Sequence, residues 1–150
     1  MITCCLIAGT IRAQDVTIVY DQEIPQAAYA ARKLGEALTE QGYKIITERK
    51  DCDYLVSLAV HPNRLGKEAF SIIPEGEFIT VMGGDHRGMI YGALELAGTL
   101  RNGTSLKEVE PVKQSPHLGF RGIKFNLPWE TYRPSSALDQ HFETARDPDF

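Results

Sequence analysis

Between Phe78 and Arg101 the apolar period of the chain changes from strand-like to helical across a pair of glycines, and few arrangements accommodate that change. Phe78-Ile-Thr-Val-Met82 is a short, β-branched apolar run, and Gly83-Gly84 closes it. From Met89 onward Met89, Ile90, Ala93, Leu94, Ala97 and Leu100 recur at three- and four-residue spacing, while Arg87, Glu95 and Arg101 fall largely off that line. The pattern predicts a strand, a glycine turn and a helix that covers a sheet, with Leu94 inside and Leu94→Asp severely destabilising. Asn102-Gly103 then supplies the left-handed tolerance at which a helix stops.

The upstream chain predicts the sheet. Asp15–Tyr20 reads as a strand that is fairly apolar on both faces. Pro25 opens a helix striped with Ala27, Ala30, Ala31, Leu34 and Leu38, which ends at Gly42. Tyr43–Thr47 and Tyr54–Val60 read as further strands, joined by the polar stretch Glu48 to Asp53. Ala69–Ile73, a turn at Pro74-Glu-Gly76, and Glu77–Met82 read as a hairpin. The predicted order is β-α-β-β-β-β-α, an α/β (α+β) sandwich in which a mixed sheet carries both helices on one face. Leu106–Val112 reads as a charged connector containing Pro111, and Leu118–Leu127 begins a new apolar alternation.

Charge and composition exclude several functions. The net charge is −4, and the 16 Lys and Arg are dispersed among 20 Asp and Glu, so there is no basic stripe for nucleic acid. No apolar run approaches the roughly 18 residues that span a bilayer. Cys4, Cys5 and Cys52 form no CxxC pair, and His61, His86, His117 and His141 show no ligand or triad spacing, so neither metal nor cofactor is expected. The first fourteen residues are apolar and end in Ala13-Gln14. They read either as the remnant of a signal peptide, which implies a secreted or periplasmic protein, or as an apolar first strand.

The stretch Ile79 to Ala97, with Gly88, Tyr91, Gly92 and Leu96 in the form Gly-x-x-Tyr-Gly-x-x-x-Leu, is followed by a polar connector and Pro116-His-Leu-Gly-Phe-Arg-Gly122. It resembles the small N-terminal α/β domain that precedes the catalytic barrel in family 20 β-N-acetylhexosaminidases, family 67 α-glucuronidases and related enzymes. The resemblance covers Asp15 to about Asn126. It implies an accessory domain over residues 15–112, then residues 113–150 as a linker and the first strand of a truncated (β/α)8 barrel. In hexosaminidases that segment reads Arg-Gly-x-x-x-Asp-x-x-Arg. Arg121 and Gly122 match, but Asn126 stands for the Asp and Trp129 for the sugar-holding Arg, which argues against hexosaminidase activity itself. Catalytic carboxylates of such enzymes lie further along the barrel, so the resemblance implies that this chain alone hydrolyses nothing and packs within its own polypeptide against a barrel that holds the carbohydrate.

Two local motifs carry a functional reading beside a structural one. Gly83-Gly-Asp-His-Arg-Gly88 could cradle a phosphate, but its spacing is not G-x-G-x-x-G, and Asp85 would repel the anion, so a structural turn is favoured. Asn126, Trp129, Glu130 and Arg133 at the end of the barrel strand combine rings that stack on sugars with groups that bind hydroxyls. Two functions stay open: the accessory part of a secreted glycoside hydrolase acting on oligo- or polysaccharides, or a stand-alone α/β binding or interaction module.

Overall fold

The computed structural model describes residues 13–119 and 122, and the first compact unit of the chain ends at His117. The elements are β1 (Asp15–Val19), α1 (Pro25–Glu40), β2 (Lys44–Ile45), β3 (Tyr54–Val60), β4 (Phe70–Glu75), β5 (Phe78–Gly83), α2 (His86–Arg101), a 3₁₀ turn at Leu106–Glu108, and β6 (Val112–Gln114). They build one mixed sheet of order β2-β1-β3-β5-β4-β6. The strands β2, β1, β3 and β5 run parallel, while β4 is antiparallel to both of its neighbours.

Both helices cover one face of this sheet. The register aligns Ile18 with Val56 and Val56 with Ile79, and Leu58 with Val81 and Val81 with Ile72. These side chains lie under the helices with Leu34, Leu38, Leu96 and Leu100, the last four being fully buried. Truncating any of those leucines to Ala removes about 2–5 kcal/mol. The helices also touch each other side by side, and Arg101 Nε donates to Glu40 Oε2 at 2.7 Å where their C-terminal ends meet. The predicted sandwich with two helices on one face is therefore what the chain forms.

The opposite face of the sheet is covered at one end by the segment between β3 and β4. Leu65 and Ala69 pack there on Met82, with Ile73 beside them. Further along that face Leu55, Ser57 and Thr80 are half-buried, and Phe78 is 57% exposed.

Several details depart from the sequence reading. The strand expected over 43–47 shrinks to Lys44–Ile45, an exposed edge that borrows one more bond from Ile46 N–H to the Val16 carbonyl at 2.9 Å. Pro74 lies inside β4 rather than in the turn, because β6 pairs only as far as Ile72 and leaves β4 an edge at that point. The hairpin closes through Gly76-Glu77, with Gly76 at φ +64° supplying the positive dihedral. The connector also contains a strand, β6, and a 3₁₀ turn closed reciprocally by Ser105 and Glu108.

The largest correction concerns the face of α2. Its buried residues are Gly88, Met89, Gly92, Ala93, Leu96, Ala97 and Leu100, and Leu94 is 38% exposed. The stripe is rotated toward the glycines because these, having no side chain, let the helix axis approach the sheet. A hydrophobic count treats glycine as neutral and cannot see that.

Candidate functional site

The one motif in the described residues that could have held a ligand is the strand, glycine turn and helix from β5 into α2. Asp85 adopts an extended backbone and accepts from the Gly88 N–H at 2.7 Å, capping the helix with its own carboxylate. A methyl group at Gly84 would lie 1.8 Å from the Gly66 carbonyl oxygen, and one at Gly88 would lie 2.2 Å from the Ala69 carbonyl oxygen. The Gly84 N–H itself donates to the Ala69 carbonyl at 2.9 Å. The turn is thus filled by the backbone of the 61–69 segment, whose carbonyl oxygens present the wrong polarity for an anion. The structural reading of this motif holds.

The segment that fills it is itself pinned. His61 N–H donates to the Gly83 carbonyl at 2.8 Å, and Arg87 Nη1 donates to Glu68 Oε1 at 3.0 Å, across a residue whose φ is +59°. Gly92 completes the close approach: a methyl group there would sit 2.8 Å from Val81 Cγ1 and 3.2 Å from Phe70. Gly88, Tyr91, Gly92 and Leu96 thus divide their roles, with Leu96 fully buried, the two glycines against the sheet and its preceding loop, and Tyr91 40% exposed outside.

The other polar groups are bound up in fold contacts. Asp15 N–H donates to Asp53 Oδ2 at 2.7 Å and Asp53 N–H donates to the Asp15 carbonyl at 2.7 Å, which fastens β1 to the start of β3; Lys44 Nζ stands 3.7 Å from Asp15 Oδ1. Cys52 Sγ lies 3.2 Å from the Arg49 carbonyl. Tyr43 packs edge-on to Tyr54, and its hydroxyl accepts from the Leu106 N–H at 3.0 Å. Hydrogen bonding to Lys33 and then Arg32 holds Glu36 below its ordinary value, the bond from Arg101 does the same for Glu40, and bonds from Ser105 do so for Glu108. A general acid needs the opposite shift.

Among the described residues no group of three or more His, Cys, Asp or Glu could hold a metal ion, and no helix is long and apolar enough to cross a membrane. The sugar-wall residues expected from the sequence, Asn126, Trp129, Glu130 and Arg133, lie outside the described residues, as do His141 and the first barrel strand.

Comparison with known proteins agrees with this architecture. The profile of glycosyl hydrolase family 20, domain 2, matches residues 8–111, more than half of the chain. The chain belongs to this family of glycoside hydrolase accessory domains. Among solved structures it is similar to a GH138 enzyme targeting pectin rhamnogalacturonan II, with 29% identity and a TM-score of 0.60 over 70% of this chain. Weaker likenesses are to CpGH84D, with 14% identity over 66% of this chain and a TM-score of 0.48, and to a β-N-acetylhexosaminidase from Bacteroides fragilis NCTC 9343, with 18% identity over 57% and a TM-score of 0.38. The chain spans only 16%, 19% and 16% of these three proteins. No curated protein matches it.

Two features escape the sequence reading. One is the contact of the 61–69 backbone with Gly84 and Gly88, for which Gly66 is the only clue. The other is the outward line Tyr91, Leu94 and Gly98 on α2, hidden because the apolar spacing counts Leu94 with the core.

Proposed function

We propose that this chain is the N-terminal, non-catalytic part of a secreted or periplasmic glycoside hydrolase that acts on oligo- or polysaccharides, with residues 15–112 bracing a catalytic barrel. The observation that supports this most directly is family membership over residues 8–111 combined with a glycine turn closed by the protein's own backbone. Such a domain contributes burial and rigidity rather than chemistry, in keeping with carboxylates held low by their base and capping partners. In this reading residues 1–14 are the remnant of an export signal, and residues 113–150 lead into the barrel. Asn126, Trp129, Glu130 and Arg133 then form one wall of a sugar site at the C-terminal end of its first strand.

The test compares the 150-residue chain with the longer polypeptide encoded by its gene on aryl-glycosides, hexosaminides and glucuronides. Hydrolysis by the longer protein alone, weakened by Trp129→Ala, supports the proposal. Turnover by the 150-residue chain that Glu130→Gln abolishes overturns it. So does a reading frame that encodes no barrel, which leaves the binding-module alternative. For export, native protein beginning near Gln14 or Asp15 is the expected result, and intact Met1 in the cytoplasm is the contrary one.

A further inference from the structure

We propose that the outward line of α2 formed by Tyr91, Leu94 and Gly98 is the surface on which the catalytic domain of the parent enzyme docks. This rests on the function proposed above and names the face that carries it. The three residues stand at i, i+3 and i+7, so they follow one another along the helix. Tyr91 and Leu94 are 40% and 38% exposed, although the neighbouring strands and helix leave no shortage of buried positions for them.

Gly98 is the second, independent observation. Glycine weakens a helix relative to alanine, and each close-packed glycine of α2 has a visible compensation: Gly88 lies against the Ala69 carbonyl, and Gly92 lies against Val81 and Phe70. A methyl group at Gly98 would meet nothing within 4 Å. Within this domain the glycine therefore weakens the helix without any packing return. A backbone or bulky apolar side chain approaching from outside, seated over Gly98 beside Leu94, supplies one.

The surroundings suit a dry contact. Arg87 and Arg101, at the two ends of the line, are already paired with Glu68 and Glu40 of the same domain, so covering the line would bury no new unpaired cation there. The uncovered part of the sheet offers Ser57 and Thr80 beside Phe78, with one end occupied by Leu65 and Ala69, and is the poorer apolar platform. The occupant is an apolar surface of the rest of the same polypeptide. In the GH138 enzyme that this domain resembles, the matching part is 16% of the chain, which leaves the bulk of the protein to sit against it.

Thiol labelling tests this. In a background with Cys4, Cys5 and Cys52 replaced by Ser, Gly98→Cys should react freely with a maleimide in the 150-residue chain. In the longer polypeptide it should react about tenfold more slowly or less, the factor that corresponds to 1.4 kcal/mol of protection. Glu77→Cys, at the β4–β5 turn, should label equally in both. Equal labelling of Gly98→Cys in a longer protein that still hydrolyses glycosides overturns the docking face and leaves the proposed function standing. Protection that disappears on dilution together with a halving of mass in light scattering assigns the surface to a second copy and also overturns the proposal. A longer frame without hydrolytic activity removes the function on which it rests.

Discussion

One methyl group added at Gly88 and one added at Gly98, ten positions apart on the same helix, should change stability in opposite directions. Both substitutions remove a helical glycine, which in itself stabilises by about 1 kcal/mol. At Gly98 nothing lies within 4 Å of the new carbon, so Gly98→Ala should show that gain nearly whole. At Gly88 the new carbon would lie 2.2 Å from the Ala69 carbonyl oxygen and 3.1 Å from its carbon. Those are backbone atoms, and the adjoining Gly84 N–H is bonded to the same oxygen at 2.9 Å, so the neighbour cannot rotate away. The helix must retreat from the 61–69 segment, which loosens Gly92 from Val81 and Phe70. Overpacking of this kind costs about 1–3 kcal/mol, or somewhat more where backbone must move. Net of the helix gain, Gly88→Ala should lose roughly 1–3 kcal/mol, and the two variants should differ by about 2–4 kcal/mol. For a domain of this size that is a separation of roughly 10–20 °C in Tm. Thermal and urea melts of the 150-residue chain, followed by circular dichroism, read it directly. If Gly88→Ala melts at or above the parent, the close approach is not what selects glycine, and the account of the turn as a packing device is wrong.

Leu94→Asp should cost the 150-residue chain little, about 1 kcal/mol or less, whereas Leu96→Asp should unfold it, since a charge in the fully buried site of Leu96 is of the order of the whole stability; a urea midpoint for each separates them. Asp85→Ala removes the cap on the Gly88 N–H and should lower stability by about 0.5–2 kcal/mol in the same assay, with Asp85→Ser recovering most of it. Glu36, Glu40 and Glu108 have folded-state values below the ordinary 4.5, so their contribution is present above the unfolded value and is lost as pH falls through the folded one. Tm from these groups should be flat above about pH 5 and decline below about pH 4.5, modestly because the groups are exposed, and a Tm that rises on acidification contradicts the pairing. In a double-mutant cycle Glu40→Gln and Arg101→Met should couple by no more than about 1 kcal/mol, less in high salt, and a larger value would mean that the pair is more than a surface tie between helix ends.

The fold is largely legible in the sequence because its signals are local and redundant. β3 emerges over Tyr54–Val60 as read, since a continuous apolar run between polar segments leaves one choice. α1 begins at Pro25 as its N1 preference requires and stops one residue before Gln41, short of Gly42 at φ +85°. What the sequence hides is non-local. Whether Tyr43–Thr47 pairs over its length depends on how far β1 extends beside it, and β6 exists only because β4 offers Phe70 to Ile72 an edge to fill. No periodicity within three residues announces such a strand.

The site reading divides in the same way, and the glycines explain why. Gly83, Gly84, Gly88 and Gly92 form a sequence that, read alone, could cradle a ligand or admit another part of the chain, since both uses need a missing Cβ. The polarity of what faces them decides: the Gly66 and Ala69 carbonyl oxygens and the Asp85 carboxylate are all acceptors, so an anion would meet oxygen on each side. Asp85 already hints at this in the sequence, but the two carbonyls come from a loop well upstream with no motif of its own. The same test then turns outward to Gly98, where a glycine with nothing opposite it marks a place that the domain leaves for something else. A domain whose counterpart fills only 16% of a much longer enzyme gives that absence a physical sense: the helix layer has one side built for its own sheet and a second side shaped, by one leucine, one tyrosine and one missing methyl group, for the rest of the protein.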